Sequence, residues 1–136
     1  MFLLDTNVIS ELRRVRPHGA VLAWLRDADD AALHISTVTV GEIQAGIELT
    51  REQDESKAAE IEAWLDDLSA TFNVIDMDGR AFRRWARMMH RRADDLIEDA
   101  MIAATAYVHN LTVVTRNARD FQALGVPTFH PFGSPR

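Results

Sequence analysis

Apolar residues along this chain follow two patterns. Some form short unbroken runs, and others recur every three or four positions in longer stretches. The runs suit strands buried on both faces, and the recurring pattern suits amphipathic helices. Phe2-Leu3-Leu4 is a short buried strand. Asp5-Thr6-Asn7 follows at its exit, with Thr6 or Asn7 able to cap a helix from Asn7 to about Arg14. Pro17 interrupts that helix. His18 to Ala28 is a second helical piece, with Val21, Leu22, Trp24 and Leu25 at helical spacing. Ala32–Ile35 is a short strand. The cap-rich run Ser36-Thr37-Val38-Thr39 then leads into a helix through Val40, Ile43 and Ile47. Glu52 to Phe72 is a long amphipathic helix, with Ile61, Trp64, Leu65 and Leu68 in its apolar stripe.

Asn73–Asp76 is a third strand and Ala81–Arg91 a further helix, ended by Arg92–Leu96. Ile97–Tyr107 begins the most apolar helix, whose alanines allow close packing on a sheet. Leu111–Val114 is the clearest strand. Val126–Phe129 is the last, placed at a sheet edge by Pro127. Helices alternating with short apolar strands, without repeats or linkers, predict one α/β domain over residues 1–136. Its central sheet is short-stranded and mostly parallel, with helices on both faces.

Composition narrows the class. Nearly half of the 136 residues are apolar, enough for a real core. There are no cysteines, which excludes disulfides, thiolate metal sites and a cysteine nucleophile. Asp5 comes too early for a signal peptide, and no apolar run could span a membrane. The expected setting is soluble and cytoplasmic. The formal charge of −6 argues against nucleic acid on its face. However, all but one of the 15 basic residues are arginines, and six of them lie between Arg80 and Arg92. Such a cluster suits either a phosphate-binding rim or an ordinary solvated helix face.

Acids recur in one structural context. Asp5 follows the first strand. Glu42 lies just past the second, in the opening turns of a helix. Asn117 and Asp120 follow the fourth, and Asp99 opens the apolar helix. Each also has a capping explanation. Asp is a favoured N-cap, Thr39-x-x-Glu42 fits a capping box, Asn117 and Asp120 have cap spacing, and Asp99 suits a helix dipole. Gly41 and Gly46 beside Glu42 tilt against capping, because glycines inside a helix suit close approach by another backbone or a ligand. Among Asp94, Asp95, Glu98 and Asp99, the last shares a face with Ile102, Ala103 and Ala106, whereas Glu98 lies a quarter-turn away. Asp76 and Asp78 resemble a turn and helix start.

If the four acids converge, they cannot stay bare. Two carboxylates ~4 Å apart repel by about 4 kcal/mol at an effective dielectric of 20. Oxygen donors without His or Cys select Mg²⁺ or Mn²⁺, which suits phosphodiester hydrolysis. Aspartyl-phosphate chemistry would need a lysine beyond a later strand, and Lys57, the only lysine, lies mid-helix in an acidic stretch. A P-loop and a Gly-x-Ser-x-Gly elbow are both missing.

Four blocks in this order resemble the PIN-domain ribonucleases, specifically the VapC-type toxins of bacterial toxin–antitoxin pairs. The blocks are Leu4-Asp5-Thr6-Asn7 with Ser10-Glu11-Leu12; Ser36-x-x-Thr39-x-x-Glu42-x-x-x-Gly46-Ile47; Asp99-Ala100-Met101-Ile102-Ala103-Ala104-Thr105-Ala106; and Thr115-Arg116-Asn117-x-x-Asp120-Phe121. The resemblance implies Mg²⁺- or Mn²⁺-dependent endoribonuclease activity, with metal binding at Asp5 and Asp99 and with Glu42 and Asp120 completing the site. Thr6, Thr115 and Asn117 would support it by hydrogen bonding. The resemblance also implies a homodimer and a VapB-like antitoxin, which inhibits the toxin and alone brings the pair to promoter DNA. His130 departs from the family's usual asparagine before the proline, outside the acidic blocks.

Two rival readings use the same residues. One is a catalytically silent acidic pocket that receives a cationic segment of a partner. The other is a DNA- or structure-specific nuclease of the same fold, disfavoured because the chain has no insertion large enough to clamp a duplex. Arg13, Arg14, Arg83, Arg84, Arg87 and Arg116 are the expected contacts to RNA phosphates or antitoxin.

Overall fold

The structure, a computed structural model, describes residues 1–133. Five strands, β1 (Phe2–Leu4), β2 (Leu33–Ser36), β3 (Asn73–Ile75), β4 (Thr112–Val114) and β5 (Thr128–Phe129), form one sheet in the order β3-β2-β1-β4-β5. Every neighbouring pair is parallel, with Leu3 opposite His34 on one side and Val113 on the other. The expected doubly covered, parallel α/β fold is what forms. β5 is an edge strand, as Pro127 predicts, and β3 is the other edge.

Because successive strand residues point to opposite faces, each strand feeds two cores. Leu3 and Val113 join Ala100, Ile102, Ala103, Ala106 and Phe121 on one face. Leu4 and Val114 join Val8, Ile9, Val21, Ile47 and Leu65 on the other. The second face is covered by α1 (Thr6–Ile9), α2 (Gly19–Asp27), α3 (Thr37–Arg51) and α4 (Glu55–Thr71). The first is covered by α5 (Gly79–Met89), α6 (Ile97–His109) and α7 (Ala118–Ala123). The alanines of α6 are buried against the sheet, as their size predicts. Trp85 of α5 donates its indole N–H to the Ile97 carbonyl at 3.2 Å, fixing the start of α6.

Local details differ from the sequence reading. The first helix is only four residues long and continues as a 3₁₀ turn over Ser10–Arg13. Its cap is Asp5 itself rather than Thr6 or Asn7. α3 begins at Thr37, capped by the Ser36 hydroxyl, which accepts the Val38 N–H at 3.0 Å. Thr39 therefore lies inside the helix, and the Thr39–Glu42 capping box does not exist. Asp78 caps α5, consistent with its exclusion from the site.

No helix among the described residues is long and apolar enough to cross a membrane. Phe121 anchors α7, and with it the segment carrying Asp120, from a fully buried position. Phe121→Ala should cost about 3–5 kcal/mol of folding free energy. Urea unfolding would measure this, and a loss under about 1 kcal/mol would contradict the packing described.

Candidate active site

Chain order in the sheet reverses between β1 and β4, and the crevice beyond the carboxyl ends of those strands is where an open α/β sheet binds ligands. Asp5 and Thr115 are the first residues past these two ends. The Asp5 N–H continues the sheet's ladder to the Val114 carbonyl at 2.9 Å. The Asp5 side chain is held at both oxygens. Oδ1 accepts the Thr6 N–H at 2.8 Å, and Oδ2 accepts the Thr115 hydroxyl at 2.7 Å. Thr115 Oγ1 in turn accepts the Asn117 N–H at 2.9 Å. Asp5 thus caps α1 with one oxygen while the other meets Thr115 at the strand exits, so capping does not exclude a functional role.

Glu42 projects from the second turn of α3 toward α1. Its Oε1 accepts the Thr6 hydroxyl at 3.1 Å, and the hydroxyls of Thr6 and the fully buried Thr39 also lie 3.1 Å apart. Two expected supporters, Thr6 and Thr115, therefore touch carboxylates directly. Asn117 contributes through its backbone N–H and makes no side-chain cap bond to α7. The capping account of Asn117 fails, as it does for Glu42.

Electrostatics link the acids into one field. Burial pushes the Asp5 carboxyl above its ordinary range, against the pull of the Thr115 and Thr6 hydrogen bonds. Burial also raises Glu42, opposed by the Thr6 hydroxyl and reinforced by the charges of Asp5, Glu98 and Asp99. Asp99 is pushed up to about 6, first by burial and then by Asp5, Asp120 and Glu98. Asp5 and Asp99 thus act on Glu42, and Asp5 and Asp120 act on Asp99.

Glu98 is a fifth acid in that field, and the sequence reading set it aside as a quarter-turn away. A quarter-turn at the exposed start of α6 still leaves its charge close enough to act on both Glu42 and Asp99. For Gly41 and Gly46 the backbone half of the expectation is not met. A Cβ at either position would meet nothing within 4 Å among the described residues, so no backbone there approaches them. Gly46 instead borders an open groove of ≈ 310 Å³ beside Thr6, Arg13, Glu42 and Trp64.

Among the described residues, no ion pair reaches Asp5, Glu42, Asp99 or Asp120. No three acid or histidine side chains are drawn in to the spacing of a metal's ligand shell. The donor set nevertheless fits a hard divalent cation: carboxylate and hydroxyl oxygens, partly buried, mutually repelling and without a protein cation to neutralise them.

The expected basic contacts divide into three groups. Arg13 lies 5.4 Å over Trp64 and borders the acid groove. Arg14 and Arg116 turn toward Glu11, at 2.9 and 3.6 Å. Arg83, Arg84 and Arg87 line a separate cleft. Glu11, given no role from sequence, is buried and also accepts the His18 N–H at 2.8 Å. That bond, with Arg14 and Arg116, holds its carboxyl below the ordinary range. An acid inside the apolar run Val8–Leu12 was the available signal.

The PIN domain family model matches residues 2–126 of this sequence. The chain belongs to the PIN-domain family. It is 33% identical over 137 residues to VapC ribonuclease Y4jK of Sinorhizobium fredii, covering 97% of this chain and 98% of that protein. It is 32% identical over 138 residues to toxin FitB of Neisseria gonorrhoeae, covering 97% and 99%. The crystal structure of FitAcB from Neisseria gonorrhoeae matches this PIN domain with a TM-score of 0.86 at 32% identity, covering 97% of this chain and 99% of that one.

The charge on Asp99 has a thermodynamic consequence. A carboxyl raised from 3.8 to about 6 holds its proton more tightly in the folded state than in the unfolded one. Its ionisation therefore costs nothing below pH 4, destabilises the metal-free fold progressively between pH 4 and about 6, and adds a constant penalty above that. Asp99→Asn should raise the Tm of metal-free protein above pH 6 and leave it unchanged near pH 4, measured by circular dichroism in EDTA. A variant melting below the parent at pH 7 would contradict the charge crowding.

Proposed function

We propose that this PIN domain is a Mg²⁺- or Mn²⁺-dependent endoribonuclease acting as the toxin of a toxin–antitoxin pair. Its phosphodiester-cleaving centre is Asp5, Glu42, Asp99 and Asp120. The observation that carries the reading is geometric: Asp5, past the end of β1, and Glu42 of α3 are held by the same Thr6, and Asp99 of α6 feels the charges of Asp5 and Asp120, while no ion pair among the described residues reaches any of them.

Those four acids would hold the cation. A divalent ion there lowers the pKa of a water and neutralises charge developing on the scissile phosphate. The chain's own residues supply orientation. Thr115 and the Thr6 N–H fix the two oxygens of Asp5, and the Thr6 hydroxyl fixes Glu42. Arg13, beside the groove, is the nearest of the expected basic residues to offer a phosphate a charge-assisted hydrogen bond. Arg14 and Arg116, both exposed beside the same helix, extend that rim.

The partners follow from the resemblance and from the relatives named VapC ribonuclease and toxin FitB. They are a VapB-like antitoxin that blocks the acids, promoter DNA reached only through that antitoxin, and a second copy of the chain in a homodimer. The work is done in the cytoplasm.

Asp5→Asn and Asp99→Asn should each lower Mn²⁺-dependent cleavage of single-stranded RNA at least about 100-fold while the far-ultraviolet spectrum stays unchanged. Thr115→Val, which removes only the clasp on Asp5, should cost about 10–100-fold. Cleavage by either Asn variant at the parent rate would refute the assignment. A parent protein inert with every divalent metal would favour an acidic pocket that only binds a partner.

A further inference from the structure

A second charged feature lies apart from the acids. α5 carries Arg80, Arg83, Arg84 and Arg87, three or four residues apart and so along one side of the helix. With Tyr107 and Val108 of α6 they line a cleft of ≈ 380 Å³ that includes no acid. None of the four arginines joins an ion pair among the described residues, although the chain as a whole carries −6. Four guanidinium groups within two turns repel one another, and no described acid lies within ion-pair distance of them.

The central arginine is arranged differently from the others. The Arg84 guanidinium lies 3.6 Å over the ring of Tyr107, which is 49% exposed. Its Nε is buried without a hydrogen-bond partner among the described residues. Arg83 and Arg87 flank it and are exposed. The stacked pair presents a flat, cationic platform between free charges one helical turn apart. Only Arg80 has a polar tether, its Nη2 donating to the Val108 carbonyl at 3.4 Å.

We propose that this cleft is a second binding site for single-stranded RNA, in which Arg83 and Arg87 contact backbone phosphates and a base stacks on the outer face of Arg84. Charges that track a backbone, together with a stacking surface, are the pattern by which proteins hold single strands without reading sequence. An acidic peptide would use the charges but has no planar group for the stacked pair. The site rests on the ribonuclease reading for its choice of substrate. It extends that reading, because Tyr107 lies eight residues beyond Asp99 on α6, ~12 Å along the axis. One strand could occupy both places, so the cleft would act as an anchor upstream or downstream of the scissile bond.

The test is equilibrium binding of fluorescein-labelled single-stranded RNA to metal-free protein across a series of salt concentrations. Parent is compared with Arg83→Gln/Arg87→Gln and with an equal-charge control, Arg26→Gln/Arg51→Gln, whose residues line neither this cleft nor the acid groove. Removing two phosphate contacts should reduce the log K against log salt slope by about 1.4, and the control should match the parent. Arg84→Lys, which keeps the charge but loses the plane, should weaken binding while leaving the slope nearly unchanged. Equal slopes for all proteins, or no binding by the parent, would overturn the proposal. So would the loss of poly-glutamate binding with RNA binding intact, which would assign the cleft to an acidic protein segment. Cleavage by the parent with Mn²⁺ is scored separately, so an intact nuclease with an unaltered slope would sink the anchor alone.

Discussion

The hydrogen bond from Thr115 to Asp5 joins residues 110 positions apart at the one place where the sheet's order reverses. It exists because β1 and β4 are parallel neighbours in register, so their exits coincide. Everything acidic is arranged around that clasp. Asp5 is held at both oxygens and cannot turn away from its neighbours. The Thr6 hydroxyl, one residue on, reaches across to α3 and holds Glu42. The Asn117 N–H ties the opening of α7 to the same threonine. Asp99 arrives on a helix whose alanines let it lie close on the sheet.

Much of this was legible in the sequence, because strand exits are marked by a change from apolar to polar that needs no tertiary information. Leu4-Asp5, Val114-Thr115 and Ile35-Ser36 each show it. The choice of Asp99 among four acids rested on the apolar face of α6, and Ile102, Ala103 and Ala106 of that face are buried as expected. Failures came where one residue can serve two purposes. Asp5 caps a helix and faces the crevice, and composition cannot show that both hold. Thr39-x-x-Glu42 has the spacing of a capping box, but Ser36 starts the helix three residues earlier and takes the cap. Glu98 was dismissed on angle, although charge acts over distances at which a quarter-turn changes little. Gly41 and Gly46 suggested close approach by a backbone or a ligand; no described backbone comes near either, and Gly46 borders an open groove.

The arginines divide in a way that periodicity could not foresee. Arg14 and Arg116 converge on buried Glu11, linking the first 3₁₀ turn to the segment after β4. They serve the framework of the crevice as much as its rim. The Arg80–Arg87 group has no acidic counterpart, so its positive field extends into solvent. A chain with negative total charge thus keeps two fields of opposite sign, and α6 touches both.

The strands that carry this arrangement are only two to four residues long. No spare layer of sheet lies between the hydrocarbon interior and the acids, since Leu4 and Val114 are completely enclosed and their chain neighbours Asp5 and Thr115 already belong to the crevice. The polar centre therefore rests on a floor one residue deep. Trimming either aliphatic side chain would leave the clasp between Asp5 and Thr115 without support from below, so the geometry of the polar centre is bound to the packing of two residues that carry no polar atom in their side chains.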